Sequence, residues 1–288
     1  MGGKLLEIKE KISEKIRYDD RFTGVGISSN KVIVFTKNNT EDYSSFSTFK
    51  DNVVFAKAEF RSHALNSILR SKFRPVIAGI SVGSINGLTG TVGFIYDDIL
   101  FSASHVLSSN PIGYNGYDYV IQPGAADGGM SNDIIGKTNY YEILNDGAYG
   151  DVASAKMNAK HKNIIYGIGI PKSFVIPKVG MKVVKVGRTT GMTMGLIYTT
   201  HTDAKVFYPE LNKEVFLKNQ FVVYSKRFAQ PGDSGSSVIF SDRIAGLVVA
   251  GDEYSTLCTP STFLVDKIRE YQRSNDKDLI TKTKEVVR

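Results

Sequence analysis

The chain has 288 residues, 42% hydrophobic and 23% charged, the balance of a folded globular protein with room for one large or two smaller domains. A formal net charge of +7 raises nucleic acid as a partner, but Lys and Arg are spread along the chain and not clustered with aromatics, so none is expected. No run approaches the roughly 18 apolar residues of a membrane helix, which excludes that class of membrane partner.

The elements follow in chain order. "MGGKLLEIKEKISEKIRYDD" is charged every few residues and lacks the apolar centre of a signal peptide, pointing to a cytoplasmic protein. Within it Leu5, Ile8, Ile12 and Ile16 recur at helical spacing and predict one amphipathic helix. "GVGISSNKVIVFTK" reads as a hairpin around Ser-Ser-Asn, "DNVVFAKAEF" as a strand and "SHALNSILRSKF" as a short helix. Together they make a small α+β unit over residues 1–74, ending before Pro75.

Beyond Pro75 the pattern changes. "TVGFIYDDILFSASHV" predicts two strands about an Asp-Asp turn, and "DIIGKTNYYEI", "DVASAKM", "MKVVKVGRT", "MTMGLIYTTH", "KEVFLKNQFVVYS", "SSVIF" and "RIAGLVVAG" follow between Gly, Asn and Asp. Many short strands at this spacing indicate an all-β barrel or sandwich. Cys258 is the lone cysteine, so no internal disulfide forms; its setting, "STLCTP", fits a small buried hydrophobe. A helical period returns in "STFLVDKIREYQ", with Phe263, Leu264, Ile268 and Tyr271 on one face, and residues 276–288 form a polar tail.

Within this β-rich stretch, "FAQPGDSGSSVIF" stops an apolar run to place Gly-Asp-Ser-Gly. A serine nucleophile needs a base, a carboxylate behind that base and donors for the developing oxyanion. Of the four histidines, His63, His105, His161 and His201, only His105 stands in a strand-to-turn context of small residues, "FSASHVLSS". Asp151 opens the strand pattern "GDVASAKM", whereas its competitors Asp133 and Asp146 sit in looser surroundings.

"SASHVL", "GDVASAKM" and "PGDSGSSV" resemble the three signature segments of chymotrypsin/trypsin-like serine proteases, in that family's order. The resemblance covers residues 75–275 and implies a chymotrypsin-like double antiparallel β-barrel with a C-terminal helix, preceded by the α+β unit. It implies a serine endopeptidase with Ser234 as nucleophile, His105 as general base and Asp151 as its orienter. Gly232 and Ser234 would supply the oxyanion N–H groups, and no metal or organic cofactor is implied. The substrate is then a protein or peptide, and the N-terminal unit is the candidate surface for a regulatory partner. The chain resembles cytoplasmic bacterial members, with stress response or antiviral defence as the implied roles. A non-cleaving peptide-binding protein on the same fold is the alternative.

The resemblance also assigns supporting residues. Phe228 would lie at the base of the primary pocket, Val248 and Val249 would form its apolar wall, and Val249, Ala250 and Gly251 would pair with an extended peptide. Asp252 and Glu253 stand at the rim. Animal members carry a serine at the position of Val249 to support the triad Asp, so Asp151 is expected to rely on backbone N–H groups. "KVGRTTGMTMGLI" resembles a bacterial stretch whose arginine pairs with the Asp before the nucleophile, which implies an Arg188–Asp233 ion pair.

Overall fold

Four apolar residues spaced for one helical stripe stand near the start of the chain. In the computed structural model, which describes residues 2–37, 44–58, 68–113 and 116–274, they lie on helix α1 (Gly2–Ile16). Strands β1 (Phe22–Ser28), β2 (Lys31–Thr36) and β3 (Val53–Lys57) follow. Leu5, Ile8, Ile12 and Ile16 are buried against Phe22, Val25, Val32, Val34 and Phe46, as a helix with its apolar face on a sheet requires. The expected helix over "SHALNSILRSKF" is corrected only at its described end. Its first part, with His63, lies outside the described residues, and its described end is a single 3-10 turn, Ile68–Arg70. The tail 276–288 also lies outside them.

The next segment contributes β4 (Val76–Ala78), β5 (Ser81–Ser84), β6 (Thr89–Thr91), β7 (Phe94–Tyr96) and β8 (Ile99–Ser102). One helical turn, α2 (Ser104–Leu107), separates these from β9 (Tyr119–Ile121), β10 (Ile134–Tyr141), β11 (Ala153–Met157) and β12 (His161–Ile165). Seven of these strands form a sheet in the order β6-β5-β9-β10-β11-β8-β7. The short β12–β4 pair stands beside it. Its core includes Val82, Leu100, Val120 and Ala155.

The last segment supplies β13 (Ser173–Phe174), β14 (Lys182–Gly187), β15 (Gly191–Tyr208), β16 (Lys213–Tyr224), β17 (Ser237–Phe240), β18 (Arg243–Gly251) and β19 (Ser255–Pro260), then helix α3 (Ser261–Ser274). Six of these pair in a ring, β14-β17-β18-β19-β16-β15 and back to β14, which leaves no free edge in the closed part. Leu264 and Ile268 of α3 pack into the core of the β4–β12 segment.

β15 is the exception to the short-strand reading. Its first part pairs with β14 as far as Leu196, and its later part would be an open edge if β1 did not cover it, with Gly24 opposite Ala204 and Val25 opposite Asp203. The N-terminal strands thus extend the second sheet and form no sheet of their own. Lys9 on α1 reinforces the join, its Nζ lying 2.5 Å from the buried Asp203 carboxylate.

Candidate active site

Strand pairing brings the base and the carboxylate together. β8 runs beside β11 with Ser102 opposite Ala153, so the residues just beyond those ends, His105 on α2 and Asp151 before β11, become neighbours. Asp151 is wholly buried. Its Oδ2 is hydrogen-bonded to His105 Nδ1, and its Oδ1 accepts the His105 backbone N–H at 3.2 Å. With Nδ1–H committed to the carboxylate, the neutral ring keeps its lone pair on Nε2. Burial works against the imidazolium, but the Asp151 charge and hydrogen bond outweigh it and raise the His105 pKa.

A third partner was not legible in the sequence. The Tyr208 hydroxyl, at the end of β15, donates to Asp151 Oδ2 at 2.9 Å, and its ring meets His105 edge-on, centroids 5.4 Å apart. Burial and the Asp151 charge push the phenol pKa well above its ordinary value, so the group remains a donor. The expectation that backbone N–H groups alone support Asp151 is therefore corrected. One such N–H, that of His105, is joined by a side-chain hydroxyl from the second sheet. Elsewhere, the Asp151 N–H donates to Thr259 Oγ1 at 3.1 Å.

The Gly-Asp-Ser-Gly turn lies against the same region. The Thr91 N–H donates to the Ser234 carbonyl at 2.9 Å, and the Thr91 hydroxyl donates to the Gly232 carbonyl at 2.7 Å. A Cβ on Gly235 would stand 2.0 Å from Ser102 Oγ and 3.0 Å from the Ala103 nitrogen, two residues before His105. Gly232 has φ 93°, a left-handed backbone that favours glycine. The Ser234 hydroxyl donates to the Val249 carbonyl at 3.1 Å, and among the described residues it makes no hydrogen bond to the His105 ring.

Asp233 is held differently from the sequence expectation. Its Oδ1 accepts the N–H groups of Thr189 at 2.9 Å and Thr190 at 3.2 Å. Its Oδ2 accepts the Gln230 N–H at 2.9 Å and the Thr190 hydroxyl at 2.7 Å. The cation is Lys185, its Nζ 3.3 Å away and both side chains fully buried. Burial lowers the Lys185 pKa, with Asp233 opposing. The Arg188–Asp233 pair is thus not formed. Arg188 instead binds Asp127, between β9 and β10, through two bonds, Nε at 2.6 Å and Nη2 at 2.5 Å.

Strand alternation explains the exchange. Lys185 faces Asp233, and so does Gly187, where a Cβ would come 2.4 Å from the Asp233 carboxylate. Val186 points to the opposite side, into the core of the β4–β12 segment, and Arg188 follows it.

The residues assigned to substrate binding divide by atom type. The side chains of Phe228 and Val248 belong to one buried cluster with Val183, Phe221 and Cys258, and Phe228 lies beneath Lys185, whose Nζ is 6.0 Å from the ring centroid. Val249 and Ala250 are buried in another cluster. β17 pairs with β18 only as far as Leu247, so Ala250 and Gly251 have no strand on that edge among the described residues. At the rim, Glu253 pairs with Lys226 at 3.5 Å, and Asp252 Oδ1 accepts the N–H groups of Tyr254 and Ser255.

The competing residues are engaged elsewhere. Asp133 pairs with Lys72 at 2.5 Å, and Asp146 accepts the Phe216 N–H at 3.0 Å. The His161 ring contacts the carbonyls of Ala159 and Asp97, both at 2.9 Å, and His201 lies beside Thr200. Cys258 is buried and its thiol pKa is pushed up by burial, which suits packing and not nucleophilic attack.

No protein-family model matches the chain, and no curated protein matches it. Solved structures do. A glutamic acid-specific serine protease aligns at TM-score 0.50 and 15% identity, over 67% of this chain and 98% of that one. Cellulomonas bogoriensis chymotrypsin aligns at TM-score 0.49 and 19% identity, over 67% and 96%. Thermobifida fusca protease A aligns at TM-score 0.49 and 17% identity, over the same shares, 67% and 96%. The fold is chymotrypsin-like: mainly β, with the C-terminal helix α3 in place.

Proposed function

We propose that the chain is a serine endopeptidase that cleaves peptide bonds through an acyl-enzyme. The observation that carries this is the buried Asp151–His105 hydrogen bond, which leaves Nε2 to act as a base, with the Ser234 turn packed against Ser102 and Ala103 just before His105. In the proposed cycle the Ser234 hydroxyl leaves the Val249 carbonyl when a peptide binds, and gives its proton to His105 Nε2 as Oγ attacks the scissile carbonyl. The N–H groups of Gly232 and Ser234 receive the oxyanion; losing one such donor costs roughly 10²–10³ in rate. His105 then protonates the leaving amine, and water repeats the sequence to release the acid. The extended substrate adds its main chain beside Val249–Gly251.

The alternative, a peptide binder that does not cleave, draws on one observation: the Ser234 hydroxyl is already bonded to a carbonyl. A fluorophosphonate probe decides between them. The parent chain should label and Ser234→Ala should not. A parent that binds peptides yet neither labels nor cleaves would establish the binder instead.

A further inference from the structure

We infer that Tyr208 is a positioning residue for the catalytic base, supplying from the second sheet the hydroxyl that fixes Asp151 against His105; this rests on the endopeptidase reading above. Three observations converge on it. The hydroxyl donates to the same Asp151 oxygen that bonds His105 Nδ1. Both residues are buried, Tyr208 at 2% exposure and Asp151 at 0%, so no solvent competes for that bond. Val249, in the position where the resemblance places a serine, is wholly buried among apolar neighbours that include Tyr208 and has no hydroxyl to offer.

The strand that carries Tyr208 is itself anchored. Asp203, on the same strand, accepts Lys9 Nζ at 2.5 Å, the Ser13 hydroxyl and the Asn219 N–H at 2.8 Å. Helix α1 of the N-terminal unit therefore fixes the later part of β15, and through it the phenol. The charged groups acting on His105 are Asp151 ahead of β11 and Glu210 in the turn after β15, and the titratable Tyr208 on β15 faces it by ring contact.

The hydroxyl shares the charge of Asp151 Oδ2 with the imidazole. Without it, more of that charge falls on His105, so its protonated form is favoured further, while the carboxylate loses one of its orienting bonds. Tyr208→Phe keeps the ring and removes only the donor. Two measurements on the full chain test the inference: fluorophosphonate labelling rate against pH, and titration of the His105 ring by nitrogen NMR. The expected result is labelling slowed by about 10–100-fold, the size of a hydrogen bond to a charged group. The acid limb of the profile and the NMR midpoint should both move to higher pH, with the thermal melt nearly unchanged.

A midpoint identical to the parent's would overturn the inference, whether or not the labelling rate falls, because a merely structural tyrosine would not move it. The NMR arm stands even if the parent fails to label. Failure of the endopeptidase reading is thereby distinguishable from failure of this one.

Discussion

Two buried carboxylates lie near the same turn and are held in opposite ways. Asp233 is neutralised by Lys185 and surrounded by three backbone N–H groups and a hydroxyl. Among the described residues Asp151 pairs with no lysine or arginine; its partners are a histidine and a phenol. A carboxylate with a permanent cation is a fixed structural post. One whose main partner is an imidazole keeps its charge available for a proton that comes and goes. The same side chain serves rigidity in one place and, in the proposed mechanism, chemistry in the other.

The comparison breaks most sharply if the two sites respond alike to substitution. Asp151→Asn should reduce peptide cleavage by about 10⁴-fold with little change in thermal stability, as when an orienting carboxylate is replaced in other triads. Equal activity in the variant would show that His105 needs no orienter. Lys185→Met should act the other way, leaving Asp233 buried and unpaired at a cost of about 3–5 kcal/mol in chemical denaturation. Adding Asp233→Asn to Lys185→Met should recover part of that loss. If it deepens the loss instead, charge pairing is not what Lys185 provides.

A smaller effect is expected at Arg188, which joins the two halves of the fold through Asp127. Arg188→Ala should cost about 2 kcal/mol. That is less than at Lys185, because Asp127 keeps the Ser81 hydroxyl, at 2.5 Å, and Arg70, at 3.7 Å. A loss as large as that of Lys185→Met would show that the lost pair is not compensated by these neighbours.

The smallest effect is the pH dependence of stability from His105. Its folded pKa is raised above the unfolded value. The stabilisation is therefore fully present below the unfolded pKa, about 6.5, and is lost as pH rises through the folded pKa. Melting temperature should fall across that window in the parent, and the corresponding slope should disappear in His105→Ala. A slope that persists would have to come from another group.

Much of this was readable from short stretches. The four isoleucine and leucine positions of α1 required only helical period, and the Asp-Asp turn between β7 and β8 required only local turn chemistry, Asp97 adopting φ 51°. The pairing of His105 with Asp151 was legible through the resemblance of "SASHVL" and "GDVASAKM" to signature segments, whereas the adjacency of β8 and β11 that brings them together belongs to the fold. Tyr208 was not. The strand reading stopped at "MTMGLIYTTH", whereas β15 continues to Tyr208 through irregular registers between Ile197 and Ala204, with His201 at φ 52°. Such bulges interrupt the two-residue period on which a strand is recognised.

The sequence by itself set out the residues of the proposed site and their order, because three short segments that resemble a family's signatures are each written in neighbouring residues. Tertiary structure decided which partner each buried charge takes. Lys185 and Arg188 are three positions apart, and either can reach several ångströms in any direction its backbone allows. Only the orientation of β14 sends Lys185 to Asp233 and Arg188 to Asp127, and only the long path of β15 carries Tyr208 to Asp151. A buried carboxylate requires compensation; where that compensation comes from is fixed by packing.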